Sequence, residues 1–386
     1  MSSRYSRNSS GWFEKILGLI ARFFLSIDWS LLAIVSLITA IGFVTLYSAG
    51  YSFPWRIDGQ IRNISVAFVA MLMVAMVPAK WLRMISVPAY VFGLILLVAT
   101  LLFGVSIKGA TRWLNIGVAQ IQPSELMKIA TPLLLATYFQ MREESLRWWD
   151  YAVAFVLLIL PVMLILKQPD LGTSILVFCS GFAVIFFAGI SWKFLWTAIA
   201  GVLVMLPIAW TMMYDYQRQR VMTLLDPSSD PLGAGFHTLQ AIIAIGSGGL
   251  YGKGWMNGTQ AHLDFIPERT SDFLFAVYSE EFGFMGNCSL IVLYMLLIGR
   301  TLWIANHAQD TFERLTAGAI ATIFLMYSFV NMGMVSGILP VVGVPLPFMS
   351  YGGTALLILG ICCGILMMIS SESRLREAPY QMTTRV

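Results

Sequence analysis

Glu125 and Lys128 stand three residues apart inside the stretch Gln122-Pro123-Ser124-Glu125-Leu126-Met127-Lys128, which leads into an apolar run. That spacing puts both charges on one face of a helix, where they can neutralise each other. Pro123 and Glu125 alone are ordinary helix-start residues, but capping does not explain Lys128. An ionisable group at membrane depth costs ~2.5–3.5 kcal/mol on insertion scales, which makes the pair a functional candidate. Just upstream lies Lys108-Gly109-Ala110-Thr111-Arg112-Trp113. Lys108 and Arg112, joined by Arg62, could converge on one anionic group, because a planar guanidinium binds phosphate oxygens in pairs. A basic residue beside Trp serves equally well as an interfacial anchor, and the residues alone leave both readings open. A second set of acids, Asp264, Glu268 and Asp272, is spaced by four just before another apolar run. Placed beside basic groups, such acids suit acid–base or cation chemistry on an anionic substrate; Asp272 also fits a helix cap. Asp170, in Lys167-Gln168-Pro169-Asp170-Leu171-Gly172, reads first as turn chemistry and a cap.

These side chains need a scaffold, and the composition says what kind. Of 386 residues, 58% are hydrophobic and 11% charged, against about 25% charged in a soluble domain. Lipid must be the main solvent. About 20 apolar residues span a bilayer as a helix. Apolar windows at 29–50, 61–79, 83–104, 123–140, 151–167, 171–190, 193–214, 273–299, 313–338 and 351–370 predict an all-α polytopic protein of about ten transmembrane helices. Residues 1–28 read as a polar tail with an interfacial amphipathic helix from Trp12 to Leu25, broken by Glu14, Lys15 and Arg22. The membrane domain is expected over 29–371, and a second tail over 372–386.

Ten spans put both termini on one side. With those ends in the cytoplasm, inner segments hold fourteen basic residues: Arg4, Arg7, Lys15, Arg22, Lys80, Arg83, Arg142, Arg147, Lys193, Arg300, Arg314, Arg374, Arg376 and Arg385. Short outer loops hold five: Arg56, Arg62, Lys108, Arg112 and Lys167. The positive-inside rule therefore predicts cytoplasmic termini. The long connection 215–271 then faces outward; loops of this length are usually functional or disordered. Its apolar piece Ala241–Ile245, followed by Gly246-Ser247-Gly248-Gly249, suggests a return to the membrane surface.

Some chemistries are disfavoured. Cys179, Cys288, Cys362 and Cys363 lie in apolar runs and suit neither a disulfide framework nor a metal site. With three histidines, His237, His262 and His307, a His-clustered metal centre is not expected. A nucleic-acid partner is not expected either.

Taken in order, the motifs resemble the SEDS family (shape, elongation, division and sporulation) along nearly the whole chain after the N-terminal tail. The carrying segments are 108–113, Gln122-Pro123-Ser124-Glu125 with Lys128, Gln168-Pro169-Asp170-Leu171-Gly172-Thr173, 215–220 and 243–250. Pro340–Pro347 and Ser350-Tyr351-Gly352-Gly353 complete the set. Asp215–Pro231 and Gly337–Pro347 look like the elongation members more than the division members. The resemblance implies a membrane peptidoglycan glycosyltransferase that polymerises lipid II, an undecaprenyl-pyrophosphate-linked precursor, during cell-wall elongation and rod-shape maintenance. It implies a bacterial inner-membrane location and a class B penicillin-binding protein, the elongation transpeptidase, as partner.

The family's catalytic acid matches Asp272; its membrane Glu and Lys match Glu125 and Lys128, and its outer arginines match Arg62 and Arg112. Lys108 joins these as a substrate-binding candidate. Secondary candidates are Asp264, Glu268, Asp170, Ser350 and Gln240, the last in the outer loop. The family often has His-Thr before the acid, where this chain has Thr270-Ser271; residues flanking the loop's Gln appear here as Phe236 and Ala241. No cofactor is required by the scheme, although a divalent cation, Mg²⁺ or Mn²⁺, near Asp272 would fit it. For the partner's single span, the ninth window offers small residues, Gly318, Ala319, Ala321, Gly333 and Gly337. Rival readings are a lipid II flippase or transporter, and a non-enzymatic membrane scaffold for a penicillin-binding protein.

Overall fold

The computed structural model describes residues 23–107, 110–115, 120–212, 218, 222, 234–263, 265, 266 and 268–383. Each apolar window carries a helix. These are α1 (Trp29–Ala49), α2 (Pro54–Ala75), α3 (Ala79–Phe103), α4 (Pro123–Arg142), α5 (Trp148–Leu166), α6 (Leu171–Phe187) and α7 (Trp192–Met212). The long connection contributes α8 (Ala234–Ser247) and α9 (Thr259–His262), and then come α10 (Leu274–His307), α11 (Thr311–Val335) and α12 (Gly353–Thr383). Among the described residues, seven helices are long and apolar enough to cross a membrane: α1, α2, α3, α5, α10, α11 and the Gly353–Arg376 part of α12. The apolar α6 is shorter, at 17 residues. α4 is not among the seven; it carries Glu125, Lys128, Gln140 and Arg142.

Burial separates the inner helices from the outer ones. α11 and the membrane part of α12 bury 72% and 78% of their most apolar windows inside the protein, against 22–39% for α1, α2 and α3. α4 packs against α3, α5, α6, α11 and α12, and nearly every residue from Pro123 to Ala136 is buried. The helix that carries the charges is thus central, and its polar groups must find partners within the bundle. Large apolar side chains such as Phe92, Leu102, Val156 and Met295 are exposed on the outer helices, as a lipid-facing surface requires.

Between α3 and α4 the chain forms an unexpected antiparallel sheet of three short strands, β1 (Val105–Ile107), β2 (Ala110–Asn115) and β3 (Gln120–Ile121). Ser106 pairs with Thr111 and Leu114 with Ile121. Arg112 therefore projects from a strand rather than an irregular loop.

α10 is broken. Gly283 has φ 67° and ψ −163° inside it, and a Cβ there would lie 2.2 Å from the Gly252 amide nitrogen. Only glycine fits. The freed backbone groups bond to the long connection: Phe284 N–H to the Gly249 carbonyl at 2.9 Å and Met285 N–H to Leu250 at 3.0 Å. In the other direction, the Lys253 and Gly254 amides donate to the carbonyls of Glu280 and Glu281, both at 3.0 Å. A non-helical segment at depth is tolerated when protein satisfies its backbone in this way. Glu280, fully buried, accepts from Lys253 Nζ at 2.7 Å and from the Thr259 amide at 2.9 Å. The acidic pair Glu280-Glu281 thereby anchors the end of the long connection.

Several boundaries differ from the expected ones. α2 begins at Pro54, where proline at the first helical turn is favourable, and α12 runs to Thr383, beyond the expected edge at 371. The expected surface helix Trp12–Leu25 lies mostly outside the described residues. Ala241–Ile245 sits in α8, which packs on α10 and α11 and exposes Leu239, Ile242 and Ile243. The small residues of α11 proposed for a partner are occupied by the chain itself. A Cβ on Gly318 would meet Phe187 at 2.7 Å, and one on Gly333 would meet Leu339 at 2.9 Å. Gly337 has φ +74° and faces Ile242. That face is filled.

Candidate active site

The first turns of α4 start from Gln122, with Pro123 at the first position and Glu125 in the first turn. One turn on, Lys128 Nζ contacts Glu125 Oε1 at 2.5 Å. Their side chains are 2% and 8% exposed. Tyr327 of α11 completes the group: its hydroxyl contacts Lys128 Nζ and, at 3.4 Å, Glu125 Oε2, while Lys128 Nζ lies 4.7 Å from its ring centroid. Burying two charges is costly unless each is paired and hydrogen-bonded. This triad meets that condition.

A second polar knot lies alongside. Asp170 caps α6, its Oδ1 accepting the Thr173 amide at 3.2 Å. Its other oxygen accepts from Gln122 Nε2 at 3.1 Å. Arg112 reaches across from β2, with NH2 donating to the Pro169 carbonyl at 2.9 Å and NH1 3.7 Å from Asp170 Oδ1. The turn reading of Asp170 holds, and the same carboxylate also orients Arg112.

Asp272 comes from the end of the long connection. α10 starts one residue later than a cap at Asp272 would require: its N-cap is Phe273, which makes no side-chain capping bond. The N-cap position thus falls on Phe273, one residue after Asp272. Its backbone carbonyl accepts from Asn331 Nδ2 at 2.9 Å, and its Oδ2 lies 3.4 Å from where a Cβ on Gly343 would stand. Gly343, at φ +70°, lets the 341–345 backbone pass close to that carboxylate.

These groups share one cavity of about 460 Å³. Its lining includes Arg112, Gln122, Glu125, Lys128, Asp170, Asp272 and the segment Val341–Pro345. Two cations and three carboxylates thus face one space within a bundle of apolar helices. Such a site can hold a multiply charged anion by its cations while offering a carboxylate to take a proton. Among the described residues there is no group of three or more His, Cys, Asp or Glu side chains able to hold a metal ion.

The other sequence candidates separate from this set. Arg62 is exposed on α2 and does not line the cavity, so the expected convergence with Arg112 is not made. Gln240 lies on α8, also outside the lining. Ser350 is structural in its contacts: its Oγ accepts the Leu346 amide at 3.0 Å and its carbonyl accepts Gln60 Nε2 at 3.2 Å. Glu268 holds the preceding turn, accepting from the Ser271 hydroxyl at 2.9 Å and, on its carbonyl, from the Ser271 and Phe273 amides. Lys108 and Asp264 lie outside the described residues. Sequence reasoning missed Tyr327 and Asn331, although a buried polar side chain in an apolar window was a signal for both.

Fold and cavity together define a multi-pass membrane protein with a charged cavity inside its helix bundle. The FtsW/RodA/SpoVE family, described as cell cycle proteins, matches residues 28–375. A peptidoglycan glycosyltransferase MrdB of Escherichia coli (strain K12) is 47% identical over 350 residues, covering 90% of this chain and 95% of that protein. Peptidoglycan glycosyltransferase RodA of Treponema pallidum (strain Nichols) is 30% identical, covering 89% and 98%. Among solved structures, a chain from a peptidoglycan synthase complex that coordinates polymerization and crosslinking aligns with a TM-score of 0.79 and 32% identity, covering 90% and 98%. The rod shape determining protein RodA of Thermus thermophilus aligns at 0.67 and 29%, covering 90% and 97%. The chain belongs to the FtsW/RodA/SpoVE family.

Proposed function

We propose that this protein is a peptidoglycan glycosyltransferase that joins lipid II units into glycan strands during cell-wall elongation. The observation that carries the reading is the single cavity holding Asp272 together with Arg112 and Lys128. The donor sugar of lipid II carries an α-linked pyrophosphate, and the product bond is β, so one inverting displacement suffices. The acceptor hydroxyl attacks the anomeric carbon, its proton passes to the Asp272 carboxylate, and the bond to the undecaprenyl pyrophosphate oxygen breaks with its electron pair. Pyrophosphate leaves readily, so cations matter more than a general acid.

Arg112 and Lys128 serve that role. Asp170 and the Pro169 carbonyl hold Arg112 in place, and Glu125 with Tyr327 holds Lys128. A divalent ion, were one held near Asp272, would supply charge neutralisation for the leaving group. The apolar helix bundle lets the lipid tail of the substrate stay in the bilayer while its head group reaches the cavity.

The protein is placed in the bacterial inner membrane with ten crossings, both termini cytoplasmic and the long connection outside, on the fourteen-to-five asymmetry of basic residues. A class B penicillin-binding protein, the elongation transpeptidase, is its proposed partner. The test is polymer formation by the purified chain given lipid II alone and with that partner. Glycan made without any other polymerase supports the reading. Lipid II crossing a vesicle membrane with no polymer made would contradict it.

A further inference from the structure

Asn331 is an amide buried without exposure in α11, and no step of the proposed reaction uses it. Its Nδ2 donates to two carbonyls, Asp272 O at 2.9 Å and Val344 O at 2.7 Å. Two carbonyl acceptors on the same side require the nitrogen there; the flipped amide would set oxygen against oxygen. Its Oδ1 is buried with no partner among the described residues.

The two carbonyls belong to neighbouring segments that line the cavity. Asp272 ends the long connection, and Val344 lies in the 341–345 segment. The Asp272 carboxylate passes the Gly343 backbone at close range, so a shift between these two segments would move that carboxylate against its neighbour. A second tie, from the Tyr351 amide to the Thr270 carbonyl at 2.9 Å, holds the turn before Asp272. Within the Asp272–Phe273 peptide, the Phe273 amide donates to the Glu268 carbonyl at 3.3 Å, and the Asp272 carbonyl accepts from Asn331.

We infer that Asn331 is a positioning residue for the reaction: it staples the Asp272 main chain to the 341–345 wall and so fixes the Asp272 carboxylate within reach of the acceptor hydroxyl. This rests on the proposed role of Asp272 as base. Asn331 does not itself touch the reacting atoms. A displacement of about 1 Å in a reacting geometry costs ~10²-fold in rate, so loss of the staple is expected in kcat, not in substrate affinity.

The test compares the full-length parent with Asn331→Leu, which keeps the volume and removes both bonds, and Asn331→Ser, which keeps one donor. Ser328→Ala, one turn away, removes only a bond to its own helix, to the Phe324 carbonyl, and serves as control. Steady-state polymerisation of lipid II is measured along with direct lipid II binding and detergent-solubilised yield. The expected result is kcat lowered by about 10–100-fold in Asn331→Leu, a smaller fall in Asn331→Ser, and unchanged KM, binding and control. If Asn331→Leu fails to fold, the Asn331→Ser split between kcat and KM decides alone. A kcat within twofold of the parent, or a loss carried by KM and binding, overturns the staple. Asp272→Asn is run alongside. If it is inactive while Asn331→Leu is near the parent rate, only the staple fails; if it is active, the base assignment fails and the staple with it.

Discussion

The Glu125–Lys128 pair makes a quantitative prediction through the cost of stranding one charge. The two side chains are 8% and 2% exposed and meet at 2.5 Å, so solvent screening takes little from the interaction. Breaking a buried pair by removing one partner typically costs ~3–5 kcal/mol, because the survivor keeps its desolvation penalty without compensation. Lys128→Met and Glu125→Leu remove charge while roughly keeping volume, which limits any cavity contribution. At about 2 °C per kcal/mol, the low end for large domains, each single change should lower the thermal midpoint in detergent by ~6–10 °C. The double change removes both charges and should cost clearly less than the sum, since apolar replacement of a whole buried pair is often near neutral. Tyr327 would still lose its contact with Lys128 Nζ, so some loss remains. Polymerisation should stay low in all three variants, because Lys128 lines the cavity and stability alone does not restore its charge. Additive shifts, with each single change moving the midpoint by under about 2 °C, would make the pair incidental to the fold.

Two further outcomes follow from the proposed topology and from the ion pair at the start of α1. In a background without Cys179, Cys288, Cys362 and Cys363, cysteines introduced by Ser229→Cys and Thr383→Cys should label from opposite sides of the membrane; cytoplasmic labelling of both would overturn the ten-crossing arrangement. At the start of α1, Asp28 caps the helix and meets Arg300 at 2.6 Å and the Ser370 hydroxyl at 2.7 Å. Burial raises its pKa, but the bonds from Arg300, Ser370 and the Leu31 amide outweigh this, so its carboxyl is held below the usual 3.8. A depressed folded-state pKa stabilises above 3.8, and that contribution is lost as pH falls below it. The parent's thermal midpoint should therefore fall below about pH 4 more steeply than that of Asp28→Asn. Parallel curves would remove Asp28 from the account.

The parts of this structure that were legible in sequence are those set by local spacing. Windows of apolar residues marked the helices, and the three-residue spacing of Glu125 and Lys128 predicted their contact. Asp170 as a cap followed from turn chemistry. What was not legible depends on distant chain segments. Tyr327 joins Lys128 across 199 positions, and Asn331 joins Asp272 across 59; nothing near either residue announces its partner. Glu280 and Glu281 fall inside the eighth apolar window, and only the folded long connection shows which amides they receive. The break at Gly283 was hidden for the same reason: one glycine among apolar residues does not reveal that another backbone must pass there. The small residues of α11 suited a partner helix by composition, yet the chain's own side chains use them.

The central claim is that the Asp272 carboxylate takes the acceptor's proton, and the most direct measurement is lipid II polymerisation by purified Asp272→Asn. The substitution keeps shape and polarity, and Asn would serve a helix cap about as well as Asp, so a loss of rate would report on the carboxylate. The account predicts normal yield, unchanged lipid II binding and a polymerisation rate lowered by at least ~10²–10⁴-fold, the usual loss for a general base. An Asp272→Asn protein that polymerises lipid II at near the parent rate would contradict it.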